Sequence, residues 1–205
     1  MDERERELER RFQASRATDD EAAWLRERLR AGRLPEERLR IAAIVGHPAA
    51  ALALGHEPPR EPEPLAAALE ACGRETALRA LVALGRLALP EWEGRFPRDV
   101  RPRVALEAAE GEARCPCPRH REVVQERLGG VGEARAAARQ VRAQRAAQAA
   151  HLVHFAAGAA LAPGSPADLR AALLAAGDLE PPSRVRAALR AALTPWALER
   201  GDPLA

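Results

Sequence analysis

"RETALRALVALGRLAL", residues 74–89, decides the fold class. Leu78, Leu81, Val82, Gly85 and Leu89 recur at steps of three and four, so they share one face of a helix. No stretch of the chain alternates apolar and polar residues as a half-buried strand would, and β-branched residues are scarce. The bulk of the chain is Ala, Leu, Arg and Glu, which favour helix, and Gly and Pro fall between the helical stretches. The pattern predicts an all-α protein. It should be a multi-helix bundle of stacked antiparallel helical hairpins, with about nine or ten helices and no significant sheet.

Working outward, the punctuation places the helix ends. Gly32 should close a helix over about 20–31, and Pro35 should open the next, to about 45. "GHP" at 46–48 suits a left-handed stop at Gly46 followed by a new first turn at Pro48, and that short helix should end at Gly55. On the other side, Pro90 reads as the end of the 74–89 helix, and Asp99 as the cap of one running to about Ala113. Beyond "CPCP", helices are expected near 119–128, 132–161 (one kinked or two), 166–176 and 182–199.

Four segments follow from this punctuation. Residues 1–56 form an N-terminal helical layer, and "GHEPPREPEP" contains the Pro-rich linker at 57–64. Residues 65–162 form a central helical domain, and 163–205 a C-terminal helical hairpin packing on the rest. One internal echo is visible: "LRAGRLPEERLRIAA" at 29–43 resembles "LAAGDLEPPSRVRAA" at 174–188, as stacked hairpins would.

Hydrophobic residues make up 47% and charged residues 30% of the 205, an ordinary globular balance. Every basic side chain other than His is Arg, and Lys, Tyr and Asn are absent, a composition expected of a GC-rich bacterial genome. The net charge is only +2, and acids and bases interleave, as in "MDERERELERR". Interleaved signs make solvated helix faces, not the one-sided field that nucleic-acid binding requires. The most basic run, "ARAAARQVRAQRAAQ" at 134–148, reads as such a face. No apolar run reaches the roughly 18–20 residues of a membrane span, and the charged start lacks a secretory core. The expectations are no nucleic acid, no membrane insertion, and a reduced, cytoplasmic protein.

Few residues suggest reactive chemistry. "CPCPRH" supplies Cys115, Cys117 and His120, thiol and imidazole donors of the kind zinc prefers. Three ligands fall one short of a structural site, and a fourth would come from His47, His56 or Cys72, so an ordinary loop is the leading reading. Gln144, Gln148, His151 and Phe155 lie along one helical stripe, with His154 beside it, a possible ligand face. Without carboxylates the His pair is poor for metal catalysis and reads as local hydrogen bonding. Ser15, Ser165 and Ser183 sit in turns or near caps, no G-x-S-x-G exists, and "LGGVG" at 128–132 joins helix to helix rather than cradling phosphate. No cofactor is expected.

"LALPEWEGRFPRDVRPRVALEAAEGEA", residues 87–113, is the richest stretch, with one of three Trp, one of three Phe and three Pro. Trp92 and Phe96 can anchor the loop between helices, while Arg101 and Arg103 pair with Glu91, Glu93, Asp99 or Glu107. One reading is a structural corner clamp. The other is a recognition edge, since Trp and Arg dominate interface hot spots. In that reading Trp92, Glu93, Phe96, Asp99, Arg101 and Arg103 are the partner-binding residues.

"ALRALVALGRLALPEWEGRFPRDVRPRVALEAAEGEA" at 77–113, followed by the Cys/Pro break and "ARAAARQVRAQRAAQAAHLVHFAAGAALA" at 134–162, resembles the immunity protein family of bacterial polymorphic toxin systems. The matching positions are Trp92, Glu93, Asp99, Arg101, Pro102, Arg103, Glu107, His151 and His154, within roughly 75–162. "EAAWLRERLRAGRLPEERLRIAAIVGHPAAALALG" at 21–55 resembles the short helical domains that accompany bacterial repeat proteins, a likeness that implies no activity. The first resemblance implies a non-enzymatic protein that binds and neutralises a toxin domain. The alternatives are a helical scaffold or adaptor, and a metal-binding enzyme or sensor.

Overall fold

The computed structural model describes residues 3–162 and 166–204. Ser165, the segment boundary at 163, and residues 1, 2 and 205 fall outside them. Among the described residues there are eleven α-helices and no strand. They are α1 (Glu3–Ser15), α2 (Thr18–Arg30), α3 (Glu36–Ile44), α4 (Pro48–Leu54), α5 (Pro62–Ala71) and α6 (Arg74–Arg95). There follow α7 (Arg101–Arg114), α8 (Pro118–Gln140), α9 (Gln144–Leu161), α10 (Pro166–Gly177) and α11 (Pro182–Ala197).

Most ends fall where the punctuation puts them. Gly32, Gly46 and Gly55 all take positive φ, and Pro48 opens α4. Three boundaries differ, each because packing overrides a local signal. The first is Pro90, which lies inside α6 rather than at its end. Leu81, Gly85, Ala88 and Trp92 are buried along one face of α6, so stopping at Pro90 would leave Trp92 without its pocket. Pro90 and Arg86, whose carbonyl loses its amide partner, are both on the exposed side, where water can satisfy that oxygen. The second is "LGGVG", which lies within α8 because Val124, Val131, Ala134 and Ala138 are buried on one continuous stripe. The break comes instead at 141–143, where Arg142 has φ 55°, and it divides the expected 132–161 helix into α8 and α9. The third is α5, which begins at Pro62, inside the Pro-rich 57–64 segment; Pro is well suited to a first turn, whose amides have no intrahelical partner.

The buried apolar residues form one continuous cluster, which crosses the boundaries expected near 57–64 and 163. At its centre α9 packs against α6, α7, α8 and α10. Ala146, Ala147, Ala149, Ala150, Ala156 and Ala157 are all buried on it, and these small side chains let the neighbouring helices approach closely. α6 also packs against α5, α7, α10 and α11, and α11 reaches α3. The echoing segments form similar turns: Leu34 and Leu179 are buried, and Pro35 and Pro181 stand as N-caps with φ/ψ of −61°/140° and −62°/148°.

Candidate functional site

The richest stretch folds into the corner between α6 and α7. Trp92 is 1% exposed, and its indole Nε1–H donates to the Asp99 carbonyl at 2.8 Å. Phe96, partly buried, tilts against it with ring centroids 4.6 Å apart. The ring therefore anchors the loop from within and offers no surface of its own. Asp99 accepts from the Arg101 backbone amide at 3.2 Å, the first-turn bond expected of a capping carboxylate, although the N-cap position itself is Val100. The Arg101 guanidinium meets the same carboxylate through Nε at 2.9 Å and a second nitrogen at 2.6 Å, and reaches Glu133 of α8 at 3.4 Å. Hydrogen bonding from Arg101 holds the Asp99 carboxyl below its usual range.

The remaining charges of the corner are also ordered. Arg103 donates to Glu93 at 2.7 Å. Glu91 turns away to accept both Nε and Nη2 of Arg145 on α9, at 2.9 and 2.8 Å, and this pairing lowers its pKa. What faces solvent is Arg95, Pro97, Arg98, Val100, Arg103 and Glu107, with Val100 47% exposed. That edge continues into a groove of about 460 Å³ between α7 and α8, lined among others by Val104, Glu107, Gly111, His120, Val123 and Arg127. The groove brings together two regions that stand apart in the sequence, the corner and the residues after "CPCP".

Cys115, Cys117 and His120 do converge, with one donor atom from each lying within 4.8 Å of the others. They are the only such group of three or more potential ligands among the described residues. His47, His56 and Cys72 do not join them; the Cys72 thiol is buried and directed to the Ala68 carbonyl at 3.3 Å, and burial raises its pKa. A residue not singled out from the sequence holds this loop. Glu112, fully buried, accepts from the Cys117 amide at 3.0 Å and from Arg121 Nε at 2.9 Å, with Arg74 at 3.5 Å. Its position was legible: Ala105, Ala109 and Glu112 fall at steps of four and three on the buried face of α7.

The α9 stripe is present, but it is partly engaged. Gln144 is exposed, Gln148 donates to Asp178 at 3.3 Å, and His151 lies against Phe155 with ring centroids 4.3 Å apart. Burial, with Arg135, His154 and Arg139 nearby, lowers the His151 pKa to about 4. Burial and Arg135 also lower that of His154, whose Nδ1 is buried without a hydrogen-bond partner among the described residues. Both imidazoles are therefore neutral near pH 7.

No family of known proteins matches the chain, and no curated protein or solved structure matches it either. No helix among the described residues is long and apolar enough to cross a membrane.

Proposed function

We propose that this chain is a non-enzymatic protein-binding protein, an immunity protein that binds and neutralises a cognate bacterial toxin domain. The observation that carries the reading is the corner. A buried Trp, a backbone-bonded indole and the Arg101–Asp99 pair fix it internally, while Arg98, Val100 and Arg103 remain on the surface beside the α7–α8 groove. Such a pre-ordered edge loses little conformational freedom on association, which favours tight binding. Arginines around an exposed Val suit a partner surface that is acidic around an apolar hollow. The family resemblance of residues 75–162 supplies the toxin.

The test is co-purification of the full chain with a toxin domain encoded beside it, repeated with Val100→Asp plus Arg103→Glu. Both positions are exposed, so the double variant should stay folded, losing only the surface Arg103–Glu93 pair, and bind at least tenfold more weakly, a loss of about 1.4 kcal/mol. Undiminished binding by the folded variant would remove the corner from the interface. A scaffold or adaptor role is the second reading, favoured by the matching Leu34–Pro35 and Leu179–Pro181 turns. In that case the partner maps to α1–α4, and binding survives the corner variant.

A further inference from the structure

Independently of the partner, we propose that Cys115, Cys117 and His120 form a binding site for a zinc ion. The argument begins with the donors: two thiols and an imidazole are the ligand types zinc takes most readily, and three protein ligands leave a fourth position for water or for another molecule's donor. Geometry then narrows it. With zinc–sulfur bonds of about 2.3 Å and zinc–nitrogen bonds of about 2.0–2.1 Å, a tetrahedral sulfur–nitrogen edge measures about 3.6 Å. Cys117 Sγ lies 3.4 Å from His120 Nδ1, and the three donor atoms stay within 4.8 Å of one another. Small thiol rotations, with the Cys115 carbonyl turned away from Nδ1, close the set.

The site is also built. Loops that meet by chance have free backbone, whereas this one is held at several points. The Cys117 amide is bonded to Glu112, which is fully buried between Arg121 and Arg74. Pro116 and Pro118 restrict the backbone on either side of Cys117, which itself caps α8. The His120 ring is oriented by α7. Its Nε2 edge lies over Gly111, where an added Cβ would come within 3.3 Å of Cδ2 and 3.6 Å of Nε2, so Nδ1 is the nitrogen turned to the thiols. Nδ1–H also donates to the Cys115 carbonyl at 2.7 Å. For the ion to bind there, the ring shifts to its Nε2–H tautomer and that carbonyl turns aside, and the thiols release their protons as they bind. Arg114, Arg119 and Arg121 flank the centre but oppose it little, because two thiolates neutralise the ion and Arg121 is paired with Glu112.

The experiment uses the full chain, reduced and stripped of metal, titrated with Zn²⁺ against a chromophoric chelator. One equivalent per chain is expected. Cys117→Ser plus His120→Ala should weaken binding at least a hundredfold, Gly111→Ala about tenfold through the displaced ring, and Cys72→Ser not at all. Co²⁺ replaces Zn²⁺ in a second measurement on unaltered protein, which no folding defect can confound. Thiolate-to-cobalt charge-transfer absorption at one equivalent supports the site. Its absence, sub-stoichiometric binding, or affinity that survives Cys117→Ser plus His120→Ala overturns it.

Discussion

The molecule has two Trp-centred junctions that are built on opposite principles. At the α6–α7 corner the contacts that fix the loop are local: Trp92 bonds Asp99, Arg101 pairs with Asp99, and Arg103 with Glu93, while Arg101–Glu133 and Glu91–Arg145 tie it to α8 and α9. At the seam where the N-terminal helices and α6 meet α11 and the segment after it, the partners are distant in sequence. Arg79, 3% exposed, takes both oxygens of Asp202 at 2.8 and 2.9 Å and donates to the Ala113 carbonyl. Arg38 and Arg79 lie against the Trp196 ring at 3.8 and 4.5 Å from its centroid. Arg28 binds the Leu198 carbonyl and Glu199, and Arg200 reaches Glu21 at 2.6 Å and the rings of Phe12 and Trp24. A local clamp shapes a surface; a long-range seam joins layers. The first can present an edge to a partner because the second carries the assembly.

The largest effect that separates them is removal of the clamp's anchor. Trp92→Ala empties the pocket of a fully buried ring and orphans the Asp99 carbonyl, and should cost about 3–5 kcal/mol in chemical denaturation. Its local signature is faster amide exchange in residues 93–105, with α1–α3 still protected. Arg79→Ala should cost about 3 kcal/mol, since it strands the part-buried Asp202 and strips Trp196 of a cation. Here the loss of protection should appear in α1–α3 and α11 while the corner stays closed. Equal loss in both regions from either variant would mean that the two junctions are one cooperative unit.

Much of this was legible from sequence, and the limit is set by range. The helical class follows from composition and from the 74–89 stripe, and the stops at Gly32, Gly46 and Gly55 follow from conformational need. The corner's local pairs, Arg101–Asp99 and Arg103–Glu93, were readable because their members lie within ten residues, and the Cys–Cys–His convergence for the same reason; Arg101–Glu133 and Glu91–Arg145 were not. Pro90 and "LGGVG" misled because their local preferences cost less than leaving Trp92, or the Val124–Ala138 stripe, unburied. The Arg79–Asp202 pair spans 123 residues, and among 32 arginines nothing local marks Arg79 out. The groove that joins the corner to His120 likewise depends on how α7 lies against α8, which no spacing specifies.

Acid should sharpen the contrast most finely, because the seam carries a histidine beside its carboxylates and the corner does not. His47, at the seam, caps α4: its Nδ1 accepts from the Ala50 amide at 3.3 Å, and its Nε2 faces Glu21 at 3.5 Å. Burial lowers its pKa against the opposing pull of Glu21, with Arg200 and Arg190 adding to the lowering. A proton on Nδ1 would also abolish the cap bond. The unfolded chain therefore takes up this proton at a higher pH than the folded chain does. Stability supplied by neutral His47 is complete above about pH 6.5 and declines as pH falls below it. His151, with its pKa of about 4, and His154 act in the same direction from α9. The corner's groups are carboxylates with lowered pKa values, Asp99 and Glu91, whose contribution is lost only below their unfolded values of about 4. Between pH 6.5 and 4.5 the seam should loosen while the corner holds. His47→Asn keeps an N-cap acceptor but removes the titration, so it should abolish about 1 kcal/mol of the acid-induced loss, the typical worth of a cap. Hydrogen exchange at pH 7.5 and 5.0 reads this directly: α4 and the Glu21 turn of α2 should open at the lower pH in the wild type and remain closed in His47→Asn. If both proteins open alike, the histidine cap does not control the seam's response to acid.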